Sequence, residues 1–135
     1  MKEVTCVVYN FDSNNNNGMK ISKDVFQKAI DEYNKKEQKL GEMGIKTEAQ
    51  TTLGSVSHTI EKLEIEGDDV VCKANLLDTD NGKIAQDLTN AGYPLKMEPR
   101  IVVEPIYDTD ENGEPDYSKI IGYENPEIIS VDIVC

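Results

Sequence analysis

The stretch that decides the fold is residues 57–100, SHTIEKLEIEGDDVVCKANLLDTDNGKIAQDLTNAGYPLKMEPR. Its first part alternates between apolar and polar residues, turns at Gly67-Asp68-Asp69 and returns as a second apolar run. This pattern predicts a β-hairpin with strands at residues 56–66 and 69–77. The apolar residues change parity halfway along the first strand, which predicts a bulge there.

The hairpin is followed by a short helix and then by another strand. Ile84, Ala85 and Leu88 have helical spacing, and Gly92 is a typical residue after a helix C-terminus. We therefore expect a helix that begins near residue 81, ends at Gly92 and leads through a Pro-Arg dipeptide into a strand.

The rest of the chain predicts short strands and one longer helix. Ser22 stands at an N-cap position, and the apolar residues after it predict a helix over residues 23–39 that ends at Gly41. Further strands are expected at residues 3–9, 101–107, 120–123 and 128–134, with loops at residues 11–18, 42–54 and 108–117. The pattern predicts one α+β domain over residues 1–135, a small antiparallel β-barrel or curled sheet with two flanking helices.

Composition limits the classes of protein that fit the chain. With 38% hydrophobic and 30% charged residues, it is expected to be globular and soluble. No apolar run approaches the roughly 20 residues of a membrane helix, and no signal-peptide pattern follows Met1, so we expect no membrane association and a location inside a cell. The net charge of -12, spread along the chain, disfavours nucleic acid as a partner and fits solubility or docking on a basic protein surface.

The residues that commonly bind zinc do not form a metal-site pattern. Cys6, Cys72 and Cys135 are far apart in the sequence and lack CxxC spacing, and His58 is the single histidine. We expect reduced cysteines, two of them as small core residues in strands, and neither a metal nor a cofactor.

Two acidic turns resemble part of a calcium-binding loop. The segment from Asp108 to Gly113 matches the first half of a calcium loop, but Lys119 stands where the bidentate glutamate belongs. The segment from Asp78 to Gly82 is similar. Both are interpreted as Asp/Asn-Gly turns.

Several short segments, in a fixed order, carry a family resemblance. They are Asn15-Asn16-Asn17-Gly18, Gly41-Glu42, Ser57-His58-Thr59-Ile60, Gly67-Asp68-Asp69-Val70, Leu77-Asp78-Thr79, Gly82-Lys83, and Ala91-Gly92 followed by Arg100. Over residues 15–106 the chain resembles the prohead proteases of tailed bacteriophages, serine proteases of capsid maturation that are related in fold to the herpesvirus assemblins. The resemblance implies an assemblin-like fold.

The same resemblance implies where the catalytic residues of the family would lie. The position of the general base is occupied by Ile45, and that of the serine nucleophile by Glu98. Isoleucine cannot accept a proton, and a serine mechanism requires a base. Pro99 also lacks the backbone N–H that an oxyanion hole would use. The resemblance therefore implies a pseudoprotease with no catalytic residues, in which Arg100 anchors the loop.

Two other catalytic arrangements are left open by the sequence. His58 is the single imidazole base, with Ser57 and Ser55 nearby, although strand alternation predicts that Ser57 and His58 point to opposite faces. The simpler interpretation of His58 is a half-buried strand histidine bonded to a neighbour. A carboxylate pair formed by Glu42 and Glu98 is conceivable, but no spacing demands it.

The expected function is that of a catalytically inactive phage structural protein, a capsid accessory or cement subunit or an assembly-binding subunit. It would bind capsid or scaffold proteins in the virion or in the host-cell cytoplasm, and exposed strand edges such as residues 128–134 are expected to pair with a partner strand. Homo-oligomerisation is left open. One alternative is an active serine-type maturation protease with a displaced catalytic set, and another is a phage-encoded host-directed binding protein.

Overall fold

The computed structural model describes residues 2–12, 21–44 and 51–134. These residues form an α+β fold with two α-helices and antiparallel sheets. In chain order the elements are β1 (Lys2–Asn10), α1 (Lys23–Asn34), β2 (Leu40–Glu42), β3 (Val56–Glu66), β4 (Asp69–Leu76), α2 (Asp80–Asn90), β5 (Lys96–Thr109) and β6 (Pro115–Val134).

The strands lie in two sheets. Four of them form an antiparallel sheet in the order β1-β4-β3-β2, and β5 and β6 form a separate two-stranded sheet. The predicted α+β class is confirmed for the described residues. The predicted barrel is not found among them, because β1 and β2 remain edge strands that do not pair with each other, and a barrel requires closure of the edges.

The hairpin predicted from residues 57–100 is present. β3 and β4 pair from Glu66 and Asp69 outward, and Gly67 adopts a φ of 62°, a conformation that favours glycine. The register shifts between Ile60 and Lys62, which confirms the predicted bulge. α2 follows β4 directly and packs against β3 and β4, and its N-terminus is capped by Thr79, whose hydroxyl accepts from Gly82 N–H at 3.0 Å.

The first helix begins where the sequence predicts and ends earlier. Ser22 Oγ accepts from Val25 N–H at 3.4 Å, which confirms the N-cap. Phe26, Ala29, Ile30 and Tyr33 form its buried face. The helix ends at Asn34 rather than at residue 39, because the following residues turn back so that β2 can pair with β3. Gly41, predicted as the helix stop, therefore lies within β2.

β5 and β6 form one long hairpin, although the sequence predicts three shorter strands. Its base is buried and includes Met97, Ile128 and Val131. Residues 128–134 are not an exposed edge as expected, because β2 lies beside them: Met43 forms a parallel bridge with Ile133, and Gly44 N–H donates to Ile133 O at 2.8 Å. No helix among the described residues is long and apolar enough to cross a membrane.

Candidate functional site

β2, β5 and β6 meet around Arg100, whose side chain is buried. Its Nε donates to Asp132 Oδ2 at 3.0 Å. Its Nη2 donates to Glu42 Oε1 and to Ser130 Oγ, both at 2.9 Å, and to Asp132 Oδ1 at 3.0 Å. Ser130 Oγ in turn donates to Asp132 Oδ1 at 2.7 Å. We call these four residues the Arg100 network.

Local structure explains why these side chains converge. Arg100 on β5 lies opposite Ser130 on β6 in the strand register, and Asp132 follows Ser130 by two residues on the same strand. Residues two apart in a strand share a face, so Ser130 and Asp132 both meet the guanidinium. Glu42 reaches the network from β2, and its own backbone N–H donates to Asp132 Oδ1 at 3.2 Å.

Electrostatics hold the Arg100 network together. Burial acts to lower the pKa of Arg100, but hydrogen bonds to Asp132 and Glu42 and attraction by their carboxylates outweigh burial and raise it. The guanidinium therefore stays charged and faces two buried carboxylates. An ion pair of this kind is costly to break, because the remaining charges stay buried without a partner.

Ser57 and His58 lie next to this network and contact each other. Ser57 Oγ is 2.7 Å from His58 Nδ1, so the prediction that alternation keeps them on opposite faces is wrong. The cause is a register shift: Gly41 pairs with His58 but Glu42 pairs with Val56, which leaves Ser57 as the extra residue of a bulge. A bulge interrupts alternation, and accordingly Val56, Ser57 and His58 are all buried.

His58 is bonded at both ring nitrogens. Its Nε2 lies 2.7 Å from the backbone oxygen of Val131, which can only accept, so Nε2 carries the proton. Burial, opposed by this hydrogen bond and by Asp132, lowers the pKa of His58, and the ring is therefore neutral at pH 7. Its Nδ1 then accepts the hydroxyl proton of Ser57.

Gly41 gives the His58 ring its space. A Cβ atom at Gly41 would lie 1.9 Å from His58 Nε2, so the two atoms would overlap. The glycine of β2 is thus required by the approach of the ring rather than by a turn.

The Ser57–His58 pair has the hydrogen bond of a nucleophile and its base, but a substrate lacks access to it. Both residues are 0% exposed. A groove of about 420 Å³ lies elsewhere, between α1 and β6, where Tyr33, Lys36 and Ile128 are among its lining residues. Neither Ser57 nor His58 lines this groove. In this conformation the pair acts as a buried structural contact.

The other predicted site residues have separate positions. Ile45 lies outside the described residues. Glu98, on β5, forms an ion pair with Lys96 at 3.2 Å, whereas Glu42 belongs to the Arg100 network, so the two carboxylates have different partners. Ser55 ends a short 3-10 turn, and its backbone oxygen accepts from Asn81 Nδ2.

The residues considered as metal ligands have other roles. In the part of the chain that the structure describes, no three His, Cys, Asp or Glu side chains are grouped to hold a metal ion. Asp110 Oδ1 accepts from the backbone N–H groups of Asn112 and Glu114, as expected for an Asp-Gly turn. Cys6 and Cys72, distant in sequence, are opposite each other on β1 and β4 as free thiols.

Sequence reasoning identified Arg100 but missed Ser130 and Asp132 as its partners. A signal for them exists, because these two polar residues occur two apart within the otherwise apolar run of residues 128–134. Two buried polar residues on one strand face require a partner of complementary chemistry. Arg100, predicted to anchor a loop, lies within β5 and links three strands instead.

The fold has a known counterpart. The chain is similar to the solved structure of the bacteriophage T4 capsid assembly protease, gp21, with a TM-score of 0.77 and 22% sequence identity, over 98% of this chain and 80% of that chain. No protein-family model matches the chain, and no curated protein matches it. The prediction of a prohead-protease-like fold is thus confirmed.

Proposed function

We propose that the chain takes part in phage capsid assembly as a catalytically inactive, protease-like protein that binds capsid or scaffold proteins. The likeness to a capsid assembly protease supports the context of assembly. A fold that presents a protein substrate to a catalytic centre can keep its binding surface when the catalytic residues are replaced. The chain would then be present in the virion, or in the host cytoplasm during assembly.

The observation that carries this proposal is the state of the one imidazole. His58 is buried, neutral and bonded at both nitrogens, and its serine neighbour is buried with it. The positions that the family resemblance assigns to base and nucleophile are Ile45 and Glu98. Neither isoleucine nor a glutamate paired with Lys96 supplies the base and hydroxyl of a serine protease.

The test asks whether the chain enters assembled particles and whether it cleaves the capsid or scaffold precursors. The chain is co-expressed with the capsid and scaffold precursors of the phage that encodes it, and the particles are purified and analysed by mass spectrometry. We expect full-length chain in the particles and precursors whose termini are the same with and without it. New precursor termini that depend on the wild-type chain would overturn the proposal of inactivity.

An active serine protease is the second candidate, and the contact between Ser57 and His58 favours it. This mechanism needs a motion that opens the bulge of β3 to solvent. A fluorophosphonate probe, which reacts with activated serines, distinguishes the two. We expect no labelling of the wild-type chain; labelling that is lost in Ser57→Ala would establish this alternative instead.

A further inference from the structure

The distal part of the β5–β6 hairpin, residues 104–127, lies beyond the buried base of the hairpin, and its last two residues, Pro126 and Glu127, line the groove beside α1. We call it the arm. None of its residues is buried, whereas the base of the same hairpin contributes Met97, Ile128 and Val131 to the core. Within the arm the two strands pair with each other, and the bridge between Met43 and Ile133 lies at the base of the hairpin. A two-stranded hairpin without further packing is marginally stable in water, so an arm of this length is expected to gain from a partner.

The arm exposes large apolar side chains. Tyr117 is 73% exposed, Ile121 is 65% exposed and Ile120 is 50% exposed, and Ile106 is also exposed. Single exposed apolar residues are common on soluble proteins, but several on one short hairpin are typical of a contact surface.

The arm is also the most acidic segment of the chain. It contains eight Asp and Glu residues and one lysine, Lys119, so its net charge is 1 − 8 = -7, more than half of the -12 of the whole chain. The charge is therefore concentrated rather than spread along the chain as expected. Two like-charged pairs, Glu104 with Glu124 and Asp108 with Asp116, face each other directly in the register. Such cross-strand pairs are destabilising unless a counter-charge is near.

From this combination we infer that the arm docks on a basic protein segment, rich in Lys and Arg around apolar side chains, which adds a strand along the arm. The unpaired backbone edges of β5 and β6 supply hydrogen bonds for strand addition, and the exposed isoleucines and tyrosine supply apolar contact. Lysine and arginine of the partner neutralise the opposed carboxylates.

Charge selects this partner over others. A second copy of the arm would bring -7 against -7. Nucleic acids and anionic membranes are repelled for the same reason. The inference goes beyond the proposed function, because it concerns a surface away from Ser57 and His58 and holds whether the chain cleaves its partner or not.

A defined probe tests the inference. The full chain is titrated into a fluorescently labelled synthetic peptide of alternating lysine and valine, and binding is followed by anisotropy. Two matched peptides, of alternating lysine and serine and of alternating glutamate and valine, separate charge from apolar contact. We expect the lysine–valine peptide to bind at least about tenfold more tightly than either matched peptide. Its binding should weaken in about 1 M salt, where the Debye length is about 3 Å.

Variants locate the binding surface. Ile120→Ser combined with Ile121→Ser removes exposed apolar contact, and Glu104→Gln combined with Glu124→Gln removes one opposed pair without removing acceptors. Each double variant should bind the lysine–valine peptide about tenfold more weakly than the wild-type chain does. The charge-matched control, Glu3→Gln with Glu61→Gln, changes two exposed acids on the body and should bind like wild type.

Three outcomes would overturn the inference. The first is equal binding of the lysine–serine peptide, which would leave diffuse electrostatic attraction as the cause. The second is an equal loss of affinity for the lysine–valine peptide in the arm variants and in the control variant. The third is a dimer in analytical ultracentrifugation that the Ile120→Ser/Ile121→Ser variant abolishes, since the occupant of the arm would then be a second copy.

Discussion

Arg100 is the residue on which the buried charges of the molecule depend. Its replacement by methionine keeps an unbranched apolar stem but removes the guanidinium, which leaves the carboxylates of Glu42 and Asp132 buried without their cation. We expect Arg100→Met to have a free energy of unfolding about 3–5 kcal/mol lower than that of the wild-type chain, measured by urea denaturation.

The control for this prediction lies on the same strand. Lys96→Met removes an ion pair with Glu98 whose side chains are 65% and 35% exposed. Solvent screens such pairs, so the loss should stay below about 1 kcal/mol. Equal losses in the two variants would contradict the role assigned to the Arg100 network.

His58 makes stability depend on pH. Because burial lowers its pKa from the ordinary 6.5, the unfolded chain takes up a proton at a higher pH than the folded chain does. The contribution of His58 is complete above pH 6.5 and is lost as the pH falls through 6.5 toward the folded pKa. We expect the free energy of unfolding to decrease over this range, as measured by denaturation at a series of pH values.

The sequence contains one histidine, which makes the assignment direct. His58→Gln should be less stable than the wild-type chain above pH 6.5, and its free energy of unfolding should depend less on pH below 6.5. If the slope persisted in His58→Gln, another group would be responsible.

Tyr33 carries a buried hydroxyl that has no hydrogen-bond partner among the described residues. An unsatisfied buried polar group costs about 1–3 kcal/mol, so Tyr33→Phe should raise the free energy of unfolding by about 1 kcal/mol. Tyr9→Phe is the matched control, because Tyr9 OH accepts from the backbone N–H of Ile21 at 3.2 Å, and this variant should lose stability. Destabilisation by both variants would show that the hydroxyl of Tyr33 is bonded after all.

At the level of elements, α1 completes the edge of β3. β2 is too short to cover this edge, and Asn34 at the end of α1 takes over: its Nδ2 donates to Leu63 O at 2.9 Å, and its Oδ1 accepts from Leu63 N–H at 3.1 Å. Asn34→Ala should cost about 1–2 kcal/mol, because both backbone groups lose their partner.

Gln27→Ala is the control for Asn34→Ala in the same helix. The side chain of Gln27 is exposed and bonds only locally to Asp31, so thermal unfolding should be nearly unchanged. A similar loss in both variants would mean that helix propensity, rather than the edge of β3, explains the effect.

Elements whose cause is local were predictable from the sequence. The alternation before Gly67, the turn itself, the cap at Ser22 and the helical spacing after Asn81 each depend on neighbouring residues. β2 was not predictable, because Leu40–Glu42 is extended only through pairing with β3. The sequence predicts separate strands at residues 120–123 and 128–134 in place of β6, because the polar residues between them interrupt the apolar pattern, whereas the structure continues the hairpin through Pro126 with shifts in register.

At the level of the whole molecule, the site depended on contacts that the sequence could not reveal. Arg100 is 58 positions from Glu42 and 32 from Asp132, and no local pattern joins them. The contact between Ser57 and His58 required a bulge set by the register of β2 against β3. The fold class was predictable because it depends on order and type of elements, whereas these contacts depend on how distant strands meet.

We therefore expect the body of the molecule to fold without the arm, and the arm to contribute little to the free energy of unfolding of the body. Replacing residues 105–123 by Asn-Gly closes the hairpin at Glu104 and Glu124, which are cross-strand partners, and removes no buried residue. We expect the thermal midpoint to change by less than about 5 °C, a shift that corresponds to about 1 kcal/mol for a domain of this size. Ile128→Ala, at the buried base of the same strand, should instead cost about 2–5 kcal/mol. Failure of the shortened chain to fold would show that the arm belongs to the body, whereas a stable shortened chain would mean that the exposed apolar and acidic residues of the arm are not maintained for folding.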